Sequence, residues 1–408
     1  MGNSWLDFMG LFLPLFLFLW WTWRAKWGKE IAPTIFYLWA ILLLKTAVGM
    51  IYLEWHHRTF GVCDSDAYLR TIQIFNGALP HHIGHYLQFL VYPGGEYLPP
   101  DLWYYIKHTR FWSDKGMMLF IKVLSICSLL GGGKVVWIMF WYNVVGMLGP
   151  VYLLKRLTPY FDSKLNWRWL LAFLIPQVLF WGSGLHKEGF IISMQCFVIG
   201  AFIDLEQLGS WKRIFKHAAL YTFLLAWSVL LLIRGFDAVV IALVLVLYLV
   251  RSWQVLLYSF ALLIAALLLS EWLNLGVGNF LVQKQQAYLH NGVVVSVQQV
   301  LALDGHSVWS FVRNIPMALI FSLVGMPGLV LETVYFVFQL ICVSLFVMLL
   351  IRHTSTIWIW RFISIALLQL TFIGWVVTNQ GSVVRYASIP WFWLGLSMIC
   401  LSLRVKRK

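Results

Sequence analysis

The chain has 408 residues, 61% of them hydrophobic and only 11% charged, less than half of the roughly 25% charge of soluble domains. So few charges cannot coat a water-facing surface, which excludes a soluble multidomain enzyme and predicts an all-α, polytopic membrane protein. Lys and Arg outnumber Asp and Glu by 30 to 16, a net charge of +14, but the cations fall mostly between apolar runs, where they orient helices and meet lipid head groups rather than nucleic acid.

From the N-terminus, the apolar stretch Leu11 to Trp21 lacks a charged n-region and a small-residue cleavage site, so it is read as a retained helix rather than a signal peptide. Apolar runs follow at 5–23, 33–53, 134–154, 168–184, 188–204, 218–233, 237–251, 254–270, 330–351, 356–378 and 386–403. A span needs about 20 residues, with about 17 as the lower limit, so several runs are short. Segment 116–131 carries Lys122 and ends in Gly131-Gly132-Gly133; segment 309–325 carries Arg313 and Pro316 and ends at Gly325-Met326-Pro327-Gly328. If both are re-entrant or interfacial, every basic cluster falls on one side: 24–29, Lys155-Arg156 with Lys164 and Arg168, Lys212-Arg213 with Lys216, Arg251, Arg352 and the tail 404–408. The positive-inside rule then gives about eleven spans with the N-terminus outside; crossing by both gives about thirteen and moves the 155–168 and 212–216 clusters outside. The expected organisation is a single integral membrane domain, 1–408, with outward loops at 54–115 and 271–329.

The loop 54–115 holds six of the eleven histidines and interleaves acids with aromatic pairs such as Trp103-Tyr104 and Phe111-Trp112, a pattern for amphipathic helices on a membrane surface. Asp64-Ser65-Asp66-Ala67-Tyr68 lies about ten residues past a span. Its two carboxylates can share a divalent cation, Mg or Mn, or one can act as a base; a helix N-cap is the plainer reading. His81 and His85 have metal-ligand spacing on a helix but also suit an interface with head groups. The turn Gly182-Ser183-Gly184-Leu185-His186-Lys187-Glu188-Gly189 places a Lys and a Glu at membrane depth, where they need partners or a ligand. Arg234 closes the apolar run Leu230–Ile233, and Arg385 with Tyr386 precedes the last span. A guanidinium there suits either a lipid phosphate or a snorkelling anchor. No cysteine pair has metal or redox spacing, and only Cys63 of the five falls in a polar loop.

In the eleven-span arrangement Asp64, Asp66, Lys187, Arg234 and Arg385 share the outward face. This layout resembles the GT-C superfamily of integral membrane glycosyltransferases, whose first outward loop carries an acidic motif soon after a span, here Asp64-Ser65-Asp66-Ala67-Tyr68. The Pro176…Gly182-Ser183-Gly184…Lys187-Glu188 stretch is similar to that superfamily's second outward turn. The extra run 5–23 and the lack of a separate soluble domain at 271–329 depart from the pattern. The resemblance implies a polyprenyl-phosphate sugar donor, a glycan or glycolipid acceptor, and inverting transfer in the outward leaflet of a bacterial inner membrane. It assigns Asp64 or Asp66 as base, and Tyr68, Lys187, Glu188, Arg234, Arg385 and Tyr386 to substrate binding. Two other classes share the polytopic, outward-charged pattern. One is an O-antigen polymerase or ligase, with arginines on lipid pyrophosphate; the other is a lipid-linked glycan flippase.

Overall fold

The computed structural model describes residues 27–61, 63–95, 100–161, 167–208, 217–247, 250, 252–291, 298, 300–324, 337, 339–345, 348 and 357–402. These are helical, with a single isolated bridge, Gln298 to Asn379, and no strand among the described residues. Among the described residues, seven helices are long and apolar enough to cross a membrane: Tyr37–Thr59, Val135–Tyr160, Lys187–Leu208, Ala218–Val246, Gln254–Trp272, Trp358–Val376 and Gln380–Ser402. The chain is thus an all-α membrane protein. The apolar runs 5–23 and 330–351 lie wholly or largely outside the described residues.

The chain divides into two compact units, Met1–Thr158 with Leu165–Gly235, and Pro159–Lys164 with Phe236–Lys408. In the first, helix α1 (Trp27–Phe60) is followed by α2 (Asp64–Ala78), α3 (Ile83–Val91), α4 (Trp103–Ile106), α5 (Lys115–Leu130) and α6 (Val135–Leu157). At about 1.5 Å per residue, α1 runs well beyond a hydrocarbon core of roughly 30 Å, which lets its polar last turns stand clear of lipid. The segment α5 starts at an Asp114 cap that accepts from the Met117 N–H at 2.9 Å and stops at Gly131–Gly133, where Gly132 and Gly133 have φ of 58° and 77°. Its Lys122 is buried and donates to the Tyr92 carbonyl. At sixteen residues it is shorter than a span and is not among the seven.

Helix α6 packs along α8 (Lys187–Leu208), and the two run parallel. Gly146 faces Gly189, Gly149 faces Ser193, Gly200 lies on Tyr152, and Arg156 pairs with Asp204 at 2.9 Å. Small residues let the backbones approach, as in other membrane helix pairs. The Ser193 hydroxyl enters the α6 ladder, donating to the Val145 carbonyl at 2.9 Å and accepting from the Gly149 N–H at 3.0 Å. Parallel neighbours require the chain to travel back between them. It does so through a 3-10 helix, Trp167–Leu174, and the short α7 (Pro176–Trp181). The run 168–184 is therefore two broken pieces, not one span-length helix. Pro176 causes the break: the residue before a proline is driven extended, and Ile175 has φ −57°, ψ 121°.

The runs 218–233 and 237–251 are expected as two spans joined by a turn at Arg234. In the structure they are two helical arms, together labelled α9 (Ala218–Val246), that meet at a kink at Arg234, whose φ of −155° and ψ of 82° are not helical. The division between the two units falls one residue later.

In the second unit α10 (Gln254–Trp272), α11 (Val277–Asn291), α12 (Val308–Arg313) and α13 (Ile315–Val324) precede a hairpin of α14 (Ile357–Val376) and α15 (Gln380–Ser402). Phe362 meets Trp393 across the hairpin at 5.2 Å, and Ile373, Val377 and Val383 form a small core with Phe236, Tyr288 and Tyr386. The 309–325 segment is two short helices parted at Asn314, again not a span.

Glycine substitutions separate packing from propensity. A methyl on Gly49 of α1 would lie 2.5 Å from the Ser183 carbonyl, which is backbone and cannot rotate away. Gly49→Ala should lose about 1–3 kcal/mol, the usual cost of overpacking. A methyl on Gly77 of α2 would meet nothing within 4 Å, so Gly77→Ala should gain about 0.4–1 kcal/mol by restricting the unfolded chain. Thermal unfolding in detergent, followed by circular dichroism, checks both signs.

Candidate functional site

The turn 182–188 lies against α1 and α6, and side chains of those helices satisfy its backbone. The Lys45 ammonium, buried in α1, donates to the Gly182 carbonyl at 2.7 Å and stands 5.2 Å from the Phe173 ring. Asn143 of α6 donates to the Ser183 carbonyl at 3.1 Å. The Tyr142 hydroxyl donates to the His186 carbonyl and accepts from the Phe190 N–H at 3.1 Å. Close approach explains the glycines: a Cβ on Gly189 would sit 2.7 Å from the Gly182 carbonyl, and one on Gly184 3.0 Å from the His186 ring. Hydrogen bonding of these loop carbonyls is what permits irregular backbone at this depth.

Glu188, in the first turn of α8, is fully buried and pairs with Arg234 Nη2 at 3.1 Å; the Arg234 side chain is only 6% exposed. The helix break at Arg234 thus coincides with a buried ion pair reaching across 46 residues of sequence. Gly116, at the start of α5, packs against the same arm of α9, with the Ile233 Cα 3.0 Å from a Cβ placed there.

The acidic segment begins where α1 ends. Cys63 is the N-cap of α2 and Asp66 its third residue, positions whose side chains face one another in a capping box. Asp66 Oδ2 accepts from the Cys63 N–H at 2.8 Å, and Asp66 Oδ1 lies 2.7 Å from His57 Nε2. Partial burial pushes the Asp66 carboxyl up, but the Cys63 amide and the His57 ring outweigh it and hold the group below its ordinary value. Burial pushes the Cys63 thiol up, which disfavours it as a free nucleophile. Asp64 is half-buried and acts electrostatically on His56. His56 lies 5.5 Å from Tyr52, whose ring stands edge-on to His186 at 4.7 Å. The acidic segment and the 182–188 turn therefore surround the same end of α1, with Tyr52 between them.

The other expected site residues divide. Lys187 is half-buried at the first position of α8. Tyr68 is 1% exposed and packs between Phe111 at 5.2 Å and Phe120 at 5.5 Å, a place in the core of the 64–130 helices. Arg385 and Tyr386 belong to the second unit, where the Tyr386 hydroxyl bonds that of Tyr288 at 3.1 Å and the Arg385 guanidinium lies 5.9 Å from the Tyr386 ring. Asp64 and Asp66 occupy positions i and i+2 of a helix, which do not face each other, and Asp66 turns to His57 and Cys63. A cation shared by the two carboxylates alone does not fit this arrangement. His81 precedes α3 rather than lying on it, and His85 instead stacks on His82 at 4.8 Å.

Several residues at the site lie outside the motifs read from sequence. Lys45 has a readable signal, a lone cation inside an apolar run. His56, His57, Tyr52, Tyr142 and Asn143 have none, because each matters only through a neighbour on another segment.

Comparison with protein-family models, curated proteins and solved structures finds no match for this chain. Function has to follow from the residues themselves.

Proposed function

We propose that the chain is a membrane glycosyltransferase of GT-C-like architecture. It would move a sugar from a polyprenyl-phosphate donor to a glycan or glycolipid acceptor at the outer face of a bacterial inner membrane. The observation that carries this reading is the gathering of a carboxylate-bearing segment and a cation-bearing turn around one end of α1, linked through His56, Tyr52 and His186. Inverting transfer needs those two parts: a base for the acceptor hydroxyl and positive charge for the departing phosphate.

Asp64 is the better base. Asp66 is already bound by His57 and the Cys63 amide, and its depressed pKa makes it a weaker proton acceptor. Asp64 takes the acceptor proton, the acceptor oxygen bonds to the anomeric carbon, and the bond from that carbon to the phosphate oxygen breaks with inversion. The leaving lipid phosphate keeps the electron pair. Lys187 and the N-terminal amides of α8 offset its charge, with Arg234 behind them on Glu188. Tyr68 serves as packing beneath the acidic helix; Arg385 and Tyr386 remain candidate lipid-phosphate contacts of the second unit. The parallel α6 and α8, with the returning 167–181 segment between them, support more crossings than the seven long helices, as the eleven-span arrangement requires.

Purified protein in detergent or nanodiscs should transfer labelled sugar from a polyprenyl-phosphate hexose or pentose to an extracted glycolipid fraction. No transfer from such a panel, together with turnover of polyprenyl-pyrophosphate oligosaccharides, would move the protein to the polymerase or ligase class.

Sidedness has its own test. Arg58, with its side chain 79% exposed, and exposed Lys134 mark the end of α1 and the start of α6 near the site, while exposed Glu206 marks the far end of α8. An impermeant thiol reagent added outside should label Arg58→Cys and Lys134→Cys but not Glu206→Cys. The reverse pattern would place the site in the cytoplasm.

A further inference from the structure

We propose that His57, Cys63 and Asp66 bind a zinc-type divalent transition-metal ion. The three side chains each offer one ligand atom, and these atoms lie within 4.8 Å of one another. His57 Nε2 is 2.7 Å from Asp66 Oδ1 and 4.0 Å from Cys63 Sγ. A tetrahedral ion with bonds of about 2.0–2.3 Å sets its donors roughly 3.3–3.6 Å apart. The nitrogen–oxygen pair has to open slightly and the sulfur has to close in, small adjustments for side chains already converging.

The fold explains the convergence. His57 occupies the last turn of α1, and Cys63 and Asp66 take the N-cap and third positions of α2, which face each other. The Cys63 N–H holds the second carboxylate oxygen at 2.8 Å, so the ligand carboxylate is oriented from behind. A cap alone does not account for the thiol. Ser, Thr, Asp and Asn are the usual N-caps, and cysteine is not among them. Thiolate, imidazole and carboxylate together select zinc over magnesium or manganese, which prefer all-oxygen sites. Cys63 is buried, whereas the His57 and Asp66 side chains are 37% and 32% exposed, so the site opens to water on one side. Three protein ligands leave a fourth position for water or a substrate oxygen. Metal binding at this group does not depend on whether the chain transfers sugars.

Co²⁺ is the probe. Protein stripped by chelator, kept reduced and titrated with Co²⁺ should bind one equivalent. It should show a near-ultraviolet thiolate-to-cobalt charge-transfer band and the visible bands of a tetrahedral ion, both abolished by added Zn²⁺. Cys63→Ser retains a capping hydroxyl and should keep its helix content while losing the charge-transfer band. His57→Gln, which leaves the cap untouched, should weaken Co²⁺ binding at least tenfold. Absence of a stoichiometric charge-transfer band in the folded parent protein overturns the proposal. So does a band of full intensity in Cys63→Ser, or unchanged affinity in His57→Gln.

Discussion

Arg234→Ala should destabilise the protein by about 3–5 kcal/mol, because it leaves the fully buried Glu188 carboxylate without its cation. Glu188→Ala should cost a similar amount from the other side. The pair can be removed together: Arg234→Met with Glu188→Leu replaces two buried charges with apolar groups of comparable length, and such exchanges are often neutral or stabilising. The double variant should recover most of the lost thermal stability. Its activity then decides what the pair is for. If Arg234 and Glu188 only join the break in α9 to the start of α8, the double variant transfers sugar normally. If they also supply field to the leaving phosphate, it folds and is inactive. Thermal unfolding and single-turnover transfer on the three variants are the measurements. A stable Arg234→Ala single variant would show that the charge is not committed to Glu188.

The largest catalytic effect should come from Asp64. Asp64→Asn cannot accept a proton, and loss of a general base typically lowers rate by about 10²–10⁴-fold. The residue is half-buried at the first position of α2, whereas the capping bonds of that helix fall to Asp66, and Asn keeps the size and polarity of the side chain, so unfolding temperature should hardly move. Asp66 should behave the other way round. Asp66→Ala removes the acceptor for the Cys63 amide and the partner of His57, a loss of about 1 kcal/mol by analogy with other helix caps. Transfer rates and unfolding temperatures for the two variants should therefore change in opposite proportion. Full activity in Asp64→Asn would remove the base from the mechanism.

The contrast between the two aspartates shows what spacing can and cannot convey. An Asp-x-Asp soon after a span is readable, and so is its role as a helix start. Which carboxylate is tied down is not, because that depends on His57 reaching back from the preceding helix. The same holds for the turn 182–188. Its glycines, lysine and glutamate mark it as unusual, yet Lys45 meets Gly182 across 137 residues and Arg234 meets Glu188 across 46. The one place where local sequence corrects the span assignment is Pro176, whose position inside an apolar run breaks a helix without any tertiary partner.

The sequence by itself determined the class of this protein. With 11% charge there is not enough polar surface for water, and long apolar helices satisfy their own backbone groups in lipid. It also located the acidic segment at the end of a span. Tertiary structure decided which faces meet. Soluble helices announce their buried side by an apolar stripe, but helices such as α6, α8 and α9 are apolar nearly all round, so periodicity does not reveal a partner. Parallel packing of α6 on α8, the Ser193 insertion, the Arg234–Glu188 pair and the His57–Cys63–Asp66 group all arise from contacts between segments far apart along the chain or on different helices. The α6–α8 geometry in particular depends on how the backbone crosses back through 167–181: Pro176 marks where that segment breaks, but which helices the crossing brings together is a property of the folded chain.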